Sequence, residues 1–578
     1  MKKSIWLWTL FLPLTVSAQM PAHDELTDTK PHDSNEVWLQ KVKAPTLCWG
    51  STNKRYTKQS VPTEVTDKRL TIQAWRGERV NAQAVLYTPQ ALKSVVMEAS
   101  ELRNGASVIP SSNITLSFVR YVITDEANKD GKTACGHRPD KTKWDSSLVA
   151  DALDPIDKLD IEACTTRPLW MNIQIPQNAK PGTYKGTLTV RTNNTYTLPY
   201  EIRVTERTLP EPEKWKFHLD LWQNPYSVAR FYNVPLWSKA HFDLMRPLMK
   251  TLAKAGQKVI TTSIMQRPWN GQTEDAFQSM IVRTKCLDGS WKYDYTVFDR
   301  WVDFMISVGI DKQINCYTMI PWAMNFDYFD QATATVKYIH ATPGEKEYTN
   351  YWMPFLKDFA KHLRQKGWFS RTAIAIDERS MPHMREAFKL VKEADRDFKI
   401  SSQVRYYPEV EPLIDDLCLA YGDTLPTDVW KRRISEGKLT TYYTCCSEAY
   451  PNTFTFSAPA EATWLPWHAM AASFEGYLRW AYNSWTAEPL TDTRFRTWAA
   501  GDCFIVYPGA SSIRMERLIE GIQDAEKIRI LREEFTQKGN KTKLEKLNNI
   551  VKQFVPENLT KENATEMVTK ARKELEKF

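Results

Sequence analysis

No segment beyond the first twenty residues reaches the ~18 consecutive apolar residues of an ordinary membrane-spanning helix. No Lys/Arg run concentrates the basic charge either. The net charge of +8 is a small difference between 77 basic and 69 acidic residues, so nucleic-acid binding has no support. The 578-residue chain has no CxxC pair and no HExxH, which leaves a zinc site without its usual ligand spacing. No metal or cofactor is expected. The acidic stretch Asp125 to Gly131 departs from EF-hand spacing and reads as a solvated loop.

What the chain does have is aromatic side chains, with 22 Trp, 24 Tyr and 23 Phe. Core packing is their default use. Many stand just after strand-like segments, where they also suit a stacking surface for sugar. Residues 1–18 read as a secretory signal: Lys2 and Lys3, an apolar run from Ile5 to Leu14, and small residues at Val16-Ser17-Ala18. The mature protein is expected to be exported, to the periplasm or beyond. All nine Cys lie after that signal, and an oxidising compartment permits disulfides. Cys135 and Cys164 fall in one expected domain and are a candidate pair. Cys445 and Cys446 read as packing residues on a strand.

Residues 19–35 are polar and read as a disordered tail. From 36 to 208 short alternating segments, such as Asn81 to Tyr87 and Tyr196 to Val204, are punctuated by Pro181-Gly182 and Asn193-Asn194, the pattern of a β-sandwich. Leu209-Pro210-Glu211-Pro212 is a stiff linker. Over 213–510 the rhythm becomes strand–helix alternation. Eight strand candidates start at Phe217, Val259, Gln313, Thr372, Ile400, Leu417, Leu439 and Gly476, and most are separated by helical patterns. That predicts a (β/α)8 TIM barrel, with Asn325 to Gly344 as an inserted loop. Phe504 to Tyr507 reads as a further strand. Residues 511–578 form a helical segment packed on the barrel's flank.

The most informative stretch is Thr372-Ala373-Ile374-Ala375-Ile376-Asp377-Glu378. Side chains alternate along a strand, so Ala373, Ala375 and Asp377 share one face and the two Ile the other. Small residues inward and branched ones outward suit a barrel strand covered by helices. An Asp-Glu pair is ordinarily a solvated turn. Placed after an apolar barrel strand, it lies where TIM-barrel active sites lie, at the strand's C-terminal end. The other strand ends add Trp222, Gln223, Asn224, Gln266, Arg267, Tyr317, Gln403, Arg405, Tyr406, Tyr407, Tyr442, Tyr443, Glu448, Asn483 and Trp485, and the approach to the eighth strand adds Trp464 and Trp467. Two acids among amides, phenols and indoles predict a carbohydrate pocket.

Glycoside cleavage usually needs two carboxyls flanking the bond, and sequence neighbours cannot easily straddle a sugar. They do suit a substrate-assisted route, in which a 2-acetamido oxygen attacks the anomeric carbon. Asp377 would orient and charge-stabilise the acetamido N–H. Glu378 would protonate the leaving oxygen, given a pKa raised by its site, then activate water against the oxazolinium ion.

The chain resembles glycoside hydrolase family 123, the retaining β-N-acetylgalactosaminidases, over about residues 40–535. The likeness rests on Ala375-Ile376-Asp377-Glu378. It rests also on Gly476-Tyr477-Leu478-Arg479-Trp480-Ala481 with Asn483 and Trp485, on Tyr507-Pro508-Gly509, on Ser512 to Glu516, and on Glu520 to Asp524. It implies an N-terminal β-sandwich, a catalytic barrel, exo-action on terminal β-linked GalNAc as on glycosphingolipid glycans, and Asp377 and Glu378 as the catalytic pair. By analogy with other acetamido-assisted enzymes, Tyr443 is expected to bond the acetamido oxygen and Trp485 to enclose its methyl. Trp467, Trp464, Tyr407, Gln403, Tyr317 and Asn224 complete the expected substrate-binding set, with core packing as the alternative for the aromatics. Two rival readings stand beside this one. One is a two-carboxylate retaining hydrolase with Glu448 as nucleophile. The other is a secreted glycan-binding protein without chemistry.

Overall fold

Alternation in the N-terminal third builds two sheets that share one core. The first orders strands Thr46–Gly50, Arg79–Thr88, Thr165–Gln174, Ile114–Thr124 and Ser147–Asp154, with Ser511–Ser512 added at its edge. The second orders Leu70–Arg76, Thr195–Thr208, Gly182–Arg191, Leu92–Ala99 and Lys158–Ile161. Leu86, Phe118 and Met171 of the first meet Val95, Leu188, Tyr200 and Ile202 of the second in a single apolar cluster. The computed structural model describes residues 20–578 except 31, 66, 126–134 and 137–139. The expected signal and most of the 125–131 loop therefore lie outside the described residues. Asp125 itself is buried and accepts a hydrogen bond from the Ala500 N–H at 3.1 Å.

Eight parallel strands follow: β1 (His218–Leu221), β2 (Val259–Ser263), β3 (Gln313–Tyr317), β4 (Thr372–Ile376), β5 (Lys399–Gln403), β6 (Asp416–Ala420), β7 (Leu439–Tyr443) and β8 (Gly476–Arg479). They pair in the order β1-β8-β7-β6-β5-β4-β3-β2, a nearly closed barrel. The seam between β1 and β2 has little backbone ladder. Side-chain amides bridge it instead. Gln257 accepts from the Leu221 N–H at 2.9 Å, and Gln223 accepts from the Thr261 N–H at 2.9 Å. Gln223, a candidate from the strand ends, is thus part of the wall. The alternation in β4 sorts as expected, with Ala375 facing the barrel interior beside Tyr317 and Cys418, and Ile374 and Ile376 joining the outer core.

Several expectations are corrected. Between β5 and β6 stands a single 3-10 turn, Glu411–Leu413, where the (β/α)8 pattern has a helix. The insert at 325–344 is a hairpin, Asn325–Asp330 with Thr335–His340. It belongs to a four-stranded sheet with Val282–Lys285 and Trp291–Asp294. Phe504 and Tyr507 make isolated bridges, to Asn483 and Ala510, and no strand. Part of the polar tail is pinned. The Glu25 carboxylate is buried against Arg167 (2.6 Å), Lys58 (2.9 Å) and Arg120 (3.0 Å), and these cations hold its pKa well below the usual range despite the burial. Cys164 is a free thiol, and the disulfide joins Cys135 to Cys446, 311 residues apart. Cys446 lies beyond the end of β7, in the loop that follows it, so strand alternation does not govern it.

The Ile513–Gln537 helix locks the sheets to the barrel. Its start is capped by Ser512, which accepts the Met515 N–H at 3.0 Å. Arg514 pairs with Asp151 at 2.8 Å, Glu516 with Arg79 at 2.7 Å, and Lys527 reaches Glu78 at 2.5 Å. At Gly521 an added Cβ would lie 2.6 Å from the Thr463 carbonyl oxygen, so only glycine lets this helix lie against the Pro459–Ala472 helix there. The helices Lys541–Val551 and Ala564–Leu575 complete the C-terminal layer. The motifs at 512–516 and 520–524 are therefore structural.

Trp464 and Trp467 ride the Pro459–Ala472 helix, which is buried along nearly its whole length. Trp467 donates to Asp524 at 3.1 Å and stacks on Phe554 at 4.6 Å; Trp464 stacks on His468 at 5.0 Å. Both tryptophans are core residues on the barrel's outer flank, away from its mouth. Trp467→Ala should cost about 3–5 kcal/mol of stability, read as a lower denaturant midpoint. The KM of the surviving folded protein should stay at the wild-type value.

Candidate active site

The mouth of the barrel holds a cavity of about 330 Å³. It is lined by Asp377 and Glu378 from the end of β4, Gln403 from β5, Tyr443 from β7 and Leu478 from β8. Loops contribute Trp222, Trp269, Trp322, Trp480, Trp498 and Asp502. Cys135 and Cys446 also line it, so the disulfide brings the N-terminal domain to the rim.

Asp377 is 7% exposed. Its Oδ2 accepts from Arg379 Nη2 at 2.8 Å and from the Trp322 indole at 3.2 Å. Its Oδ1 is buried with no hydrogen-bond partner among the described residues. Burial pushes its pKa up to about 6 against the pull of Arg379, and the charge of Glu378 adds to the rise. Glu378, one residue on, turns out of the strand's alternation into the exposed part of the cavity, where its Oε1 accepts from the Tyr443 hydroxyl. Burial, and then the nearby Glu378, push the Tyr443 phenol far above its usual value, so it stays a donor. The raised pKa expected at Glu378 is found at its neighbour Asp377.

Aromatic rings form the floor and one wall. Trp222 stacks on Trp269 at 4.9 Å, and Tyr317 packs beneath both at 4.5 and 5.2 Å. Tyr317 is fully buried and donates to Gln403 at 3.2 Å. Trp480 meets Trp498 edge to face at 6.0 Å. Of the expected substrate-binding residues, Gln403 and Tyr443 line the cavity, and Tyr317 supports it from below.

The others lie elsewhere. Asn224 and Asn483 clasp the ends of β1 and β8: Asn483 Oδ1 accepts the Asn224 N–H at 2.9 Å, and its Nδ2 donates to the Asn224 carbonyl at 2.8 Å. Trp485 donates to the Val506 carbonyl at 2.8 Å with its ring against Phe231 and Tyr232, on the flank. Tyr407 packs on the outer core, because the chain turns away after Gln403. Glu448 spends both oxygens in its own turn, on the Cys445 N–H at 2.6 Å and the Ser447 hydroxyl at 2.6 Å.

The family model for the glycoside hydrolase 123 catalytic domain matches residues 222–531, and that for the glycoside hydrolase 123 N-terminal domain matches residues 49–192. The chain belongs to glycoside hydrolase family 123. A family 123 glycoside hydrolase from Clostridium perfringens, described for its glycolipid glycan hydrolysis, superposes with a TM-score of 0.82 at 27% identity, over 93% of this chain and 98% of that one. A family 39 glycoside hydrolase from Bacteroides cellulosilyticus (TM-score 0.34, 10% identity, 79% and 82% covered) and a Bacteroides ovatus GH5 xyloglucanase (0.30, 10%, 82% and 100%) are remote and carry no argument. No curated protein matches the chain. This family 123 protein is accordingly a glycoside hydrolase. Sequence reasoning missed Asp502 and the loop tryptophans 269, 322 and 498. Their segments have no periodicity to announce them, though Trp480 sits inside a motif that did.

Proposed function

We propose that this enzyme removes terminal β-linked GalNAc from glycans with retention, using the substrate's own 2-acetamido group as nucleophile. The observation that carries this reading is the division of Asp377. One oxygen is held by Arg379 and Trp322, while the other is buried and unpartnered among the described residues, on a residue that lines the cavity. An acetamido N–H supplies the missing donor. The Asp377 carboxylate then offsets the positive charge that grows on the acetamido group as its carbonyl oxygen closes on C1. Glu378 donates its proton to the departing oxygen and afterwards takes one from the water that opens the ring. Tyr443 holds Glu378 in line. The stacked indoles receive the apolar face of the sugar and exclude water.

Glycolipid glycans as source are supported by the relative from Clostridium perfringens, and preference for the galacto configuration rests on the family resemblance drawn from the sequence. Export belongs to the same proposal. The apolar start of the chain supports it, as does the Cys135–Cys446 bond, since disulfides persist in oxidising compartments. Among the described residues no helix is long and apolar enough to cross a membrane.

Aryl β-GalNAc, β-GlcNAc and β-Gal substrates test the reading. Turnover of β-GalNAc, weak turnover of β-GlcNAc, none of β-Gal and tight inhibition by GalNAc-thiazoline are expected. Equal turnover of the 2-hydroxyl substrate would refute acetamido participation and point to a carboxylate nucleophile.

A further inference from the structure

Across the mouth from Asp377 lies a second buried carboxylate that the mechanism above does not use. Asp502 and Arg479 are both fully buried, and Arg479 Nη2 donates to Asp502 Oδ1 at 2.5 Å. The Trp480 indole donates to the same oxygen at 3.3 Å. Arg479 is itself fixed by Asn452 Oδ1 at 2.7 Å. Asp502 Oδ2 is buried, makes no hydrogen bond among the described residues, and belongs to a residue that lines the cavity. An ion pair taken wholly out of water is costly unless every lone pair is used. An orphaned acceptor on a residue that lines a sugar-sized cavity can be satisfied by a hydroxyl donor that arrives with the substrate.

The barrel fixes which hydroxyl that is. Strands β4 and β8 are diametrically opposed in the pairing order. Asp377 and Glu378 come from the end of β4, and Asp502 is anchored at the end of β8 through Arg479. In a pyranose, C4 stands opposite C1, and C5, which carries C6, stands opposite C2. With C1 and C2 at the β4 acids, the C4–C6 edge of the ring faces Asp502.

We propose that Asp502, held by Arg479 and Trp480, accepts a hydroxyl from the C4–C6 edge of the sugar in the catalytic cavity and so holds that edge of the ring opposite the acids of β4. This rests on the GalNAc reading above. It gives a role to the Arg479-Trp480 pair of the Gly476–Ala481 motif, and it makes Asp377, Glu378, Tyr443 and Asp502 polar groups around one ring, with Arg479 behind Asp502.

The test compares kcat/KM for aryl β-GalNAc and its 3-deoxy, 4-deoxy and 6-deoxy analogues in wild type, Asp502→Ala and Asp502→Asn. A hydroxyl bonded to an ionised acceptor is worth about 10- to 100-fold. Wild type should lose that factor on the 4-deoxy or 6-deoxy substrate. In Asp502→Ala that penalty should shrink to about unity while the 3-deoxy penalty stays as in wild type. Asp502→Asn, which keeps the shape of the site, carries the same comparison if the alanine variant does not fold. Deoxy penalties identical in wild type and variants, with or without a drop in Tm, would overturn the proposal and leave a structural ion pair. Failure of wild type to cleave β-GalNAc would remove the reading beneath it as well.

Discussion

Asp377→Asn should lower kcat/KM about 10³-fold, even on dinitrophenyl glycosides whose departure needs no proton. The leaving group does not matter because Asp377 acts on the nucleophile. A neutral amide can still point an oxygen at the acetamido N–H, but it cannot offset the charge of an oxazolinium ion, and loss of one such preorganised electrostatic contact costs 10²–10³ or more. The same burial gives a pH signature. Asp377 titrates at about 6 in the folded protein, above its ordinary 3.8, so the charged form fades as pH falls through 6. The acid limb of kcat/KM, which reports the free enzyme, should therefore bend near pH 6 and be absent from Asp377→Asn. Stability runs the other way. A carboxyl with a raised folded pKa favours the fold below its unfolded value, and that contribution is lost as pH rises through 6, on the order of 3 kcal/mol for a shift of this size. At pH 7 the asparagine variant should melt no lower than wild type. A variant with wild-type rates would refute the mechanism, and one that simply unfolds would assign Asp377 a structural role.

The barrel was legible because its strands carry the signal in their own alternation. In β4 the two Ala face in and the two Ile face out, and the acid follows directly, so one segment reports its register, its burial and the position of the site. Trp222, Tyr317 and Tyr443 were legible as strand ends, but other aromatics were misplaced or missed for the opposite reason. Trp464 and Trp467 stand near a strand in sequence, yet they lie on a helix apolar on every face, and such a helix is buried. Proximity to a strand end was a weaker cue than that all-round pattern. Trp269, Trp322 and Trp498 sit on irregular loops, where neither a period of 2 nor of 3.6 marks an inward face. The Cys135–Cys446 pairing bridges two domains, and nothing local to either cysteine encodes its partner. Glu25 escaped notice because its three cations come from strands and loops up to 142 residues away, so only the folded sheet shows why a polar tail is held.

Glu378→Gln should separate substrates by leaving group, which is what distinguishes a proton donor from a charge stabiliser. On a sugar or methyl aglycone the rate should fall about 10²–10⁴-fold, the usual worth of a positioned general acid. On a dinitrophenyl glycoside the first step needs no proton, and Asp377 still holds the acetamido group, so a rapid burst of phenol should survive. The second step then becomes slow, because the opening water has lost its base. Azide, a nucleophile with no proton to lose, should restore turnover and yield the β-glycosyl azide. Tyr443 adds an internal check. Its hydroxyl donates to Glu378 Oε1 in the structure, and the glutamine amide can accept the same bond, so the ring should stay in place and the dissociation constant of bound substrate, read from the burst phase, should change little. Equal losses on every leaving group, without azide rescue, would mean that Glu378 does not carry the proton and that another group at the mouth does.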